Sequence, residues 1–137
     1  MRIERRVFKY VEYELYNYDN TKREIEFYRE KIIEGTPNRE IGMNVQSGTA
    51  GDPTARKALT LAGSAFLAHA ERVISSIDKA LSMLSEKHRE LFKLKYQECL
   101  SWQEVALELG VSDRTYFRMR RELVAAVAQQ LGLINIE

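Results

Sequence analysis

Apolar side chains recur along this chain every three or four residues, the spacing that puts one face of a helix against a core. The expected fold class is therefore all-α. From Ile3 to about Ile33, Val7, Tyr10, Val11 and Leu15 form one stripe, and Ile25, Phe27, Tyr28, Ile32 and Ile33 a second. Together they predict a helical hairpin over residues 1–34 that breaks near Asp19. Thr21 with Glu24 has the spacing of a capping box opening the second helix, and Gly35 can close it. The pattern then stops. GTPNREIGMNVQSGTAGD, residues 35–52, holds four glycines and a proline among few apolar positions, the composition of a flexible linker. Helix is expected to resume at Pro53, with Asp52 as its N-cap. It should run to about Met83, with Leu59, Ala62, Phe66, Ala70, Val73, Ile77, Ala80 and Leu84 on an approximate heptad stripe. Such a stripe can fold back on the hairpin or pair with a second copy, so a homo-oligomer stays open.

The remainder of a helical domain over residues 53–137 is predicted from two further signals. Ser85 can cap SEKHRELFKLKYQE, with Leu91, Phe92 and Tyr96 inward and Lys93 and Lys95 outward. Ser101–Glu122, SWQEVALELGVSDRTYFRMRRE, then meets the requirements of a helix-turn-helix spanning about 101–131. Val105, Ala106 and Leu109 share a face, and Ala106 is small where a second helix must cross. Gly110 can turn left-handed, Val111 fills the corner, and Ser112 caps the next helix. In that helix Tyr116, Met119 and Leu123 face the core, while Arg114, Phe117, Arg118 and Arg121 fall on roughly the opposite side. An apolar inner face and an arginine-bearing outer face suit a major groove. A basic run can instead merely solvate a helix. Here the small residue, the glycine and the apolar corner are in register with it, which favours DNA.

Charge and composition narrow the field. Net charge is +1, so nucleic-acid affinity has to come from a local patch, for which Arg114, Arg118, Arg120 and Arg121 against Asp113 are available. A 45% hydrophobic, 30% charged balance is globular, and no apolar run approaches the roughly eighteen residues of a membrane span. With no signal-peptide stretch in MRIERRVFKY, a cytoplasmic protein is expected. The lone cysteine, Cys99, suits a reducing compartment and is expected to be half-buried. His88 is expected to be a packed or capping side chain. Five tyrosines between Tyr10 and Tyr28 could stack on bases, but helical spacing favours packing. With no phosphate-cradling glycine loop, zinc-ligand spacing or nucleophile–base set, neither an enzyme nor a cofactor or metal is expected.

Two resemblances follow from these motifs. Leu84–Gly132, LSEKHRELFKLKYQECLSWQEVALELGVSDRTYFRMRRELVAAVAQQLG, is similar to the fourth-region domain of bacterial sigma factors. Nearly the whole chain resembles the RinA-like phage transcriptional activators, with ArpU-like regulators as more distant relatives. VEYELYNYDNTKREIEFYREKII, GDPTARKA and SDRTYFRMRRELV carry that likeness; LAGSAFLAHA departs from it in being rich in alanine. The resemblance implies a phage or prophage activator of late genes, working at a promoter with host RNA polymerase. A sigma-like polymerase subunit, a DNA-packaging recognition subunit and a simple interaction module are the alternatives.

Helix-turn-helix geometry then assigns residues. Ser101 and Gln103 would donate to phosphates at the start of the first helix, with Trp102 packing over the helix pair. Arg114 and Arg118 are the candidates for bidentate recognition of guanine, and Phe117 for a thymine methyl. Arg121 could reach a base or a phosphate. Ser112 and Thr115 complete the DNA-facing set, Lys95 is a weaker phosphate candidate, and Asp113 would complement the helix dipole.

Overall fold

The computed structural model describes the backbone of residues 2–35 and 53–135, and the side chains of 2–31 and 62–135. Apart from Gly35, the expected linker lies outside the described residues, as do Asp52 as a cap and the side chains of Ile32, Ile33 and Leu59. The described residues are all-helical, with no strand among them. In chain order they form α1 (Arg5–Tyr16), α2 (Tyr18–Gly35), α3 (Pro53–Met83) and α4 (Glu86–Leu91). A π-helical segment (Phe92–Gln97), α5 (Trp102–Leu109) and α6 (Asp113–Gln130) follow. No helix among the described residues is long and apolar enough to cross a membrane.

The break between the first two helices falls at Asn17, earlier than expected, and Thr21 lies inside α2 instead of capping it. Asn17 provides the reason. Its Nδ2 donates to Tyr13 O at 2.8 Å while its backbone N–H donates to the same carbonyl at 3.1 Å, the local competition that ends helices at asparagine. Tyr18 then anchors the restart. Its ring meets Phe92 edge-on at 5.2 Å and its hydroxyl donates to Asp78.

The chain divides into two compact units, Met1–Asp19 with Arg72–Glu137, and Asn20–Glu71. Within the first, Val11 and Leu15 of α1 join Val73, Ile77 and Ala80 of α3 in one core with Leu91, Phe92, Tyr96, Val105, Leu109, Tyr116, Met119, Leu123, Val124 and Val127. The heptad stripe thus uses its C-terminal positions inside the same chain. In the second unit Tyr28 packs on Phe66 at 4.9 Å and edge-on against Phe27 at 5.7 Å, Lys31 lies over the Phe27 ring at 5.5 Å, and Arg29 pairs with Glu71.

The helix expected over SEKHRELFKLKYQE is α-helical only to Leu91. Beyond it the backbone widens, Glu98 N–H reaching Lys93 O at 2.9 Å, five residues back. Cys99 then takes φ 57°, unusual for a side chain other than glycine, and is exposed where half-burial was expected.

Candidate nucleic-acid interface

Each helix of the α5–α6 pair is started by a serine. Ser101 Oγ accepts the Glu104 N–H at 3.2 Å and Glu104 Oε1 accepts the Ser101 N–H at 3.0 Å, a complete capping box. Those bonds hold the Glu104 carboxyl below its ordinary range. Gly110 ends α5 at φ 69°, and the Val111 N–H closes back on Ala106 O at 3.1 Å. Ser112 Oγ accepts the Thr115 N–H at 3.1 Å and donates to Thr115 Oγ1 at 3.1 Å, opening α6. At the far end Arg72 donates to Leu131 O at 3.0 Å, satisfying a terminal carbonyl just before Gly132 turns to φ 76°.

α4 braces both helices. Lys87 Nζ donates to Leu109 O at 3.0 Å, a cation on the negative end of α5. One residue on, His88 Nε2 lies 2.8 Å from Glu122 Oε1 of α6, and its Nδ1 lies 2.7 Å from Ser85 Oγ. His88 is therefore a bridging side chain as well as a packed one. Trp102 spans the helix pair, its ring 5.0 Å from Phe117 and 6.1 Å from Tyr116.

Tyr116, Met119, Leu123, Val124 and Val127 are buried along one face of α6. Arg114, Thr115, Phe117, Arg118 and Arg121 together line an open depression on another. Arg114 and Arg121 make no ion pair or hydrogen bond among the described residues. Arg118 donates to Glu122 Oε2 at 3.0 Å. Phe117 remains 37% exposed although Trp102 and Tyr116 flank it. Ser101, Gln103 and Ser112 are exposed but do not line this depression, and the hydroxyls of Ser101 and Ser112 are occupied as caps.

Two cations counted from the sequence as available are otherwise engaged. Arg120 turns inward and forks onto Glu12 of α1, Nε to Oε2 at 2.8 Å and Nη2 to Oε1 at 2.9 Å, with its guanidinium 4.9 Å from the Phe8 ring centre. Tyr96 adds its hydroxyl to Glu12 Oε2 at 2.6 Å. Burial resists the Glu12 charge, but bonds from Arg120 and Tyr96 outweigh it and hold the carboxyl below its ordinary range. The Arg120 guanidinium, bonded to that carboxylate, is pushed up in turn. Lys95 donates to Tyr16 Oη at 3.0 Å and sits over the Tyr16 and Tyr96 rings, so it is not a loose surface cation. The helical period could have placed Arg120. It follows Tyr116 by four residues, about 40° around the helix, on the inward side.

The described residues are thus all-helical, and α6 carries Arg114, Arg118 and Arg121 along an open face braced from behind. The chain belongs to a family described as "Protein of unknown function (DUF722)", which matches residues 11–129. It is 23% identical over 125 residues to "Transcriptional activator rinA" of Staphylococcus phage phi11, an alignment covering 89% of this chain and 88% of that protein. The likeness to phage activators read from the motifs is thus a distant homology. No solved structure matches the chain.

Proposed function

We propose that the protein is a sequence-specific, double-stranded DNA-binding activator of phage or prophage late genes that works with host RNA polymerase. In this reading α5, Gly110–Ser112 and α6 act as a helix-turn-helix, with the first turns of α6 in the major groove. One observation carries it: the arginines of α6 separate into an inward Arg120, committed to Glu12, and an outward set beside Phe117 that shares one open surface. A helix that only needed solubility has no use for that division. The name of the phage relative supports activation in place of a mere DNA-binding role. Arg114 and Arg118 then read base edges, Phe117 offers an apolar contact, and Arg121 reaches a base or a phosphate. Ser101, Gln103, Ser112 and Thr115 approach the sugar–phosphate backbone near the two helix starts, which favour anions.

Footprinting across the genome that carries the gene, read with late transcript levels, tests this. Protection at a late promoter and rising late transcripts are expected. Protection at a packaging site without transcription would replace activation by DNA recognition for packaging. Opening of the promoter with core polymerase alone would make the protein sigma-like. Absence of protection on every fragment at low salt would end the DNA-binding reading.

A further inference from the structure

Arg118 differs from its neighbours on the outward face in being held. An exposed ion pair four residues apart on a helix is by itself too weak to restrain a long side chain. Glu122 is not an ordinary partner of that kind, because its two oxygens have different obligations. Oε2 accepts from Arg118 Nη1 at 3.0 Å, while Oε1 faces His88 Nε2 at 2.8 Å. His88 comes from α4, its side chain is 13% exposed, and Ser85 Oγ fixes its other ring nitrogen. A neutral imidazole satisfies both contacts in one tautomer: Nε2–H donates to the carboxylate and Nδ1 accepts the serine hydroxyl. The carboxylate is tied to a second helix and cannot follow the guanidinium as it moves. Arg118 itself is 59% exposed and, having spent one of its five N–H groups, keeps donors for a pair of base acceptors.

We infer that Glu122, anchored by His88, is a positioning residue that presets Arg118 for one base pair, so that discrimination at that pair depends on two side chains that touch no DNA. The inference rests on the DNA-binding reading and deepens it. Restricting Arg118 before contact lowers the ordering cost of binding, a cost that correct and incorrect sites otherwise share with a freely turning side chain. It also fixes the direction of the guanidinium, on which bidentate recognition depends.

The test begins by selecting bound duplexes from a random pool with the full chain. Dissociation constants are then measured for the best duplex and all its single-pair variants, with wild type, Arg118→Ala, Glu122→Ala, Glu122→Gln, His88→Ala and the Arg118→Ala/Glu122→Ala double variant. Glu122→Ala is expected to lose about tenfold discrimination at the same pair as Arg118→Ala, within what a bidentate arginine–guanine contact supplies. The double variant should be no worse there than Arg118→Ala alone. His88→Ala should lose part of the discrimination at that pair and none elsewhere. If Glu122→Ala fails to fold, Glu122→Gln, which keeps the shape and one acceptor oxygen, carries the comparison. Even weakening toward all duplexes with a lower Tm would make Glu122 purely structural and overturn the inference. Unchanged discrimination, or discrimination that rises when Arg118 is released, would overturn it equally. These outcomes leave DNA binding standing, whereas a wild-type chain that retains no duplex removes that reading and the inference with it.

Discussion

A β-carbon added at Gly110 would meet nothing within 4 Å, yet the backbone there has φ 69°. Steric fit is therefore not what glycine provides; conformational freedom is. Gly110→Ala should destabilise the fold by about 1–2 kcal/mol, the cost of a left-handed residue with a side chain, and Gly110→Asn by less. Urea unfolding checks this as a shift in midpoint with an unchanged slope. The outward arginines make a different residue-level prediction. Arg114→Ala or Arg118→Ala should cost about 1–3 kcal/mol in specific DNA binding and relax preference at one base pair, measured by titrating a selected duplex and its point variants. Uniform weakening would make either one a phosphate clamp. Much at this scale was legible because it is local: Ser85, Ser101, Gly110 and Ser112 act within one helical turn of their own positions. The Glu122 contact to Arg118 is equally local, at the four-residue spacing that pairs charges on a helix. Its His88 contact crosses 34 positions and had no local signal.

Between elements, the tie from α1 to α6 is the one with a pH signature. Glu12 takes two bonds from Arg120 and one from Tyr96, and its carboxyl sits below the ordinary 4.5. A folded value lower than the unfolded one means that protons bind the unfolded chain more readily. The contribution is therefore complete above the unfolded value and disappears as pH falls through the folded one. The Tm of the wild type should drop more steeply from about pH 5 to about pH 3 than that of Glu12→Gln. Glu122, also held low against partial burial by His88 and Arg118, preserves some acid sensitivity in that variant. At neutral pH Glu12→Gln should cost about 1.5–3 kcal/mol, typical of a hydrogen bond to a charged group. Circular dichroism melts across this range decide it; parallel acid slopes for the two proteins would assign the effect elsewhere. Helix boundaries around α5 and α6 could be read in advance, since the caps and the glycine punctuate them. The partner of Arg120 could not, being 108 residues away, and the π-helical widening after Leu91 has no sequence signal that we identify. The early break at Asn17 was readable in principle, because asparagine competes locally with the helix, but the Thr21–Glu24 spacing offered a stronger pattern in the wrong place.

For the molecule as a whole, a net charge of +1 means that DNA affinity cannot draw on a general cationic field, and must come from a few placed side chains. Arg120 and Arg121 are adjacent in sequence but opposite in use, which lets salt dependence separate fold from interface. Each phosphate neutralised contributes about −0.9 to the slope of log K against log salt on duplex DNA. With Arg114, Arg118 and Arg121 as the outward arginines, the slope should be small, on the order of −3 or less in magnitude per bound chain if all three engage phosphates, and less where arginines are spent on bases. Arg121→Ala should reduce its magnitude by about 1 if that side chain neutralises a phosphate. Arg120→Ala should leave the slope as it was while lowering Tm, since it strips Glu12 of its cationic partner, leaving only the Tyr96 hydroxyl, and takes no cation from the outer face. Anisotropy titrations over a range of potassium chloride concentrations, run well below the Tm of each variant, give both slopes. A slope that falls with Arg120→Ala and holds with Arg121→Ala would reverse the assignment of the two faces of α6, and would place the DNA on the side now closed by α1.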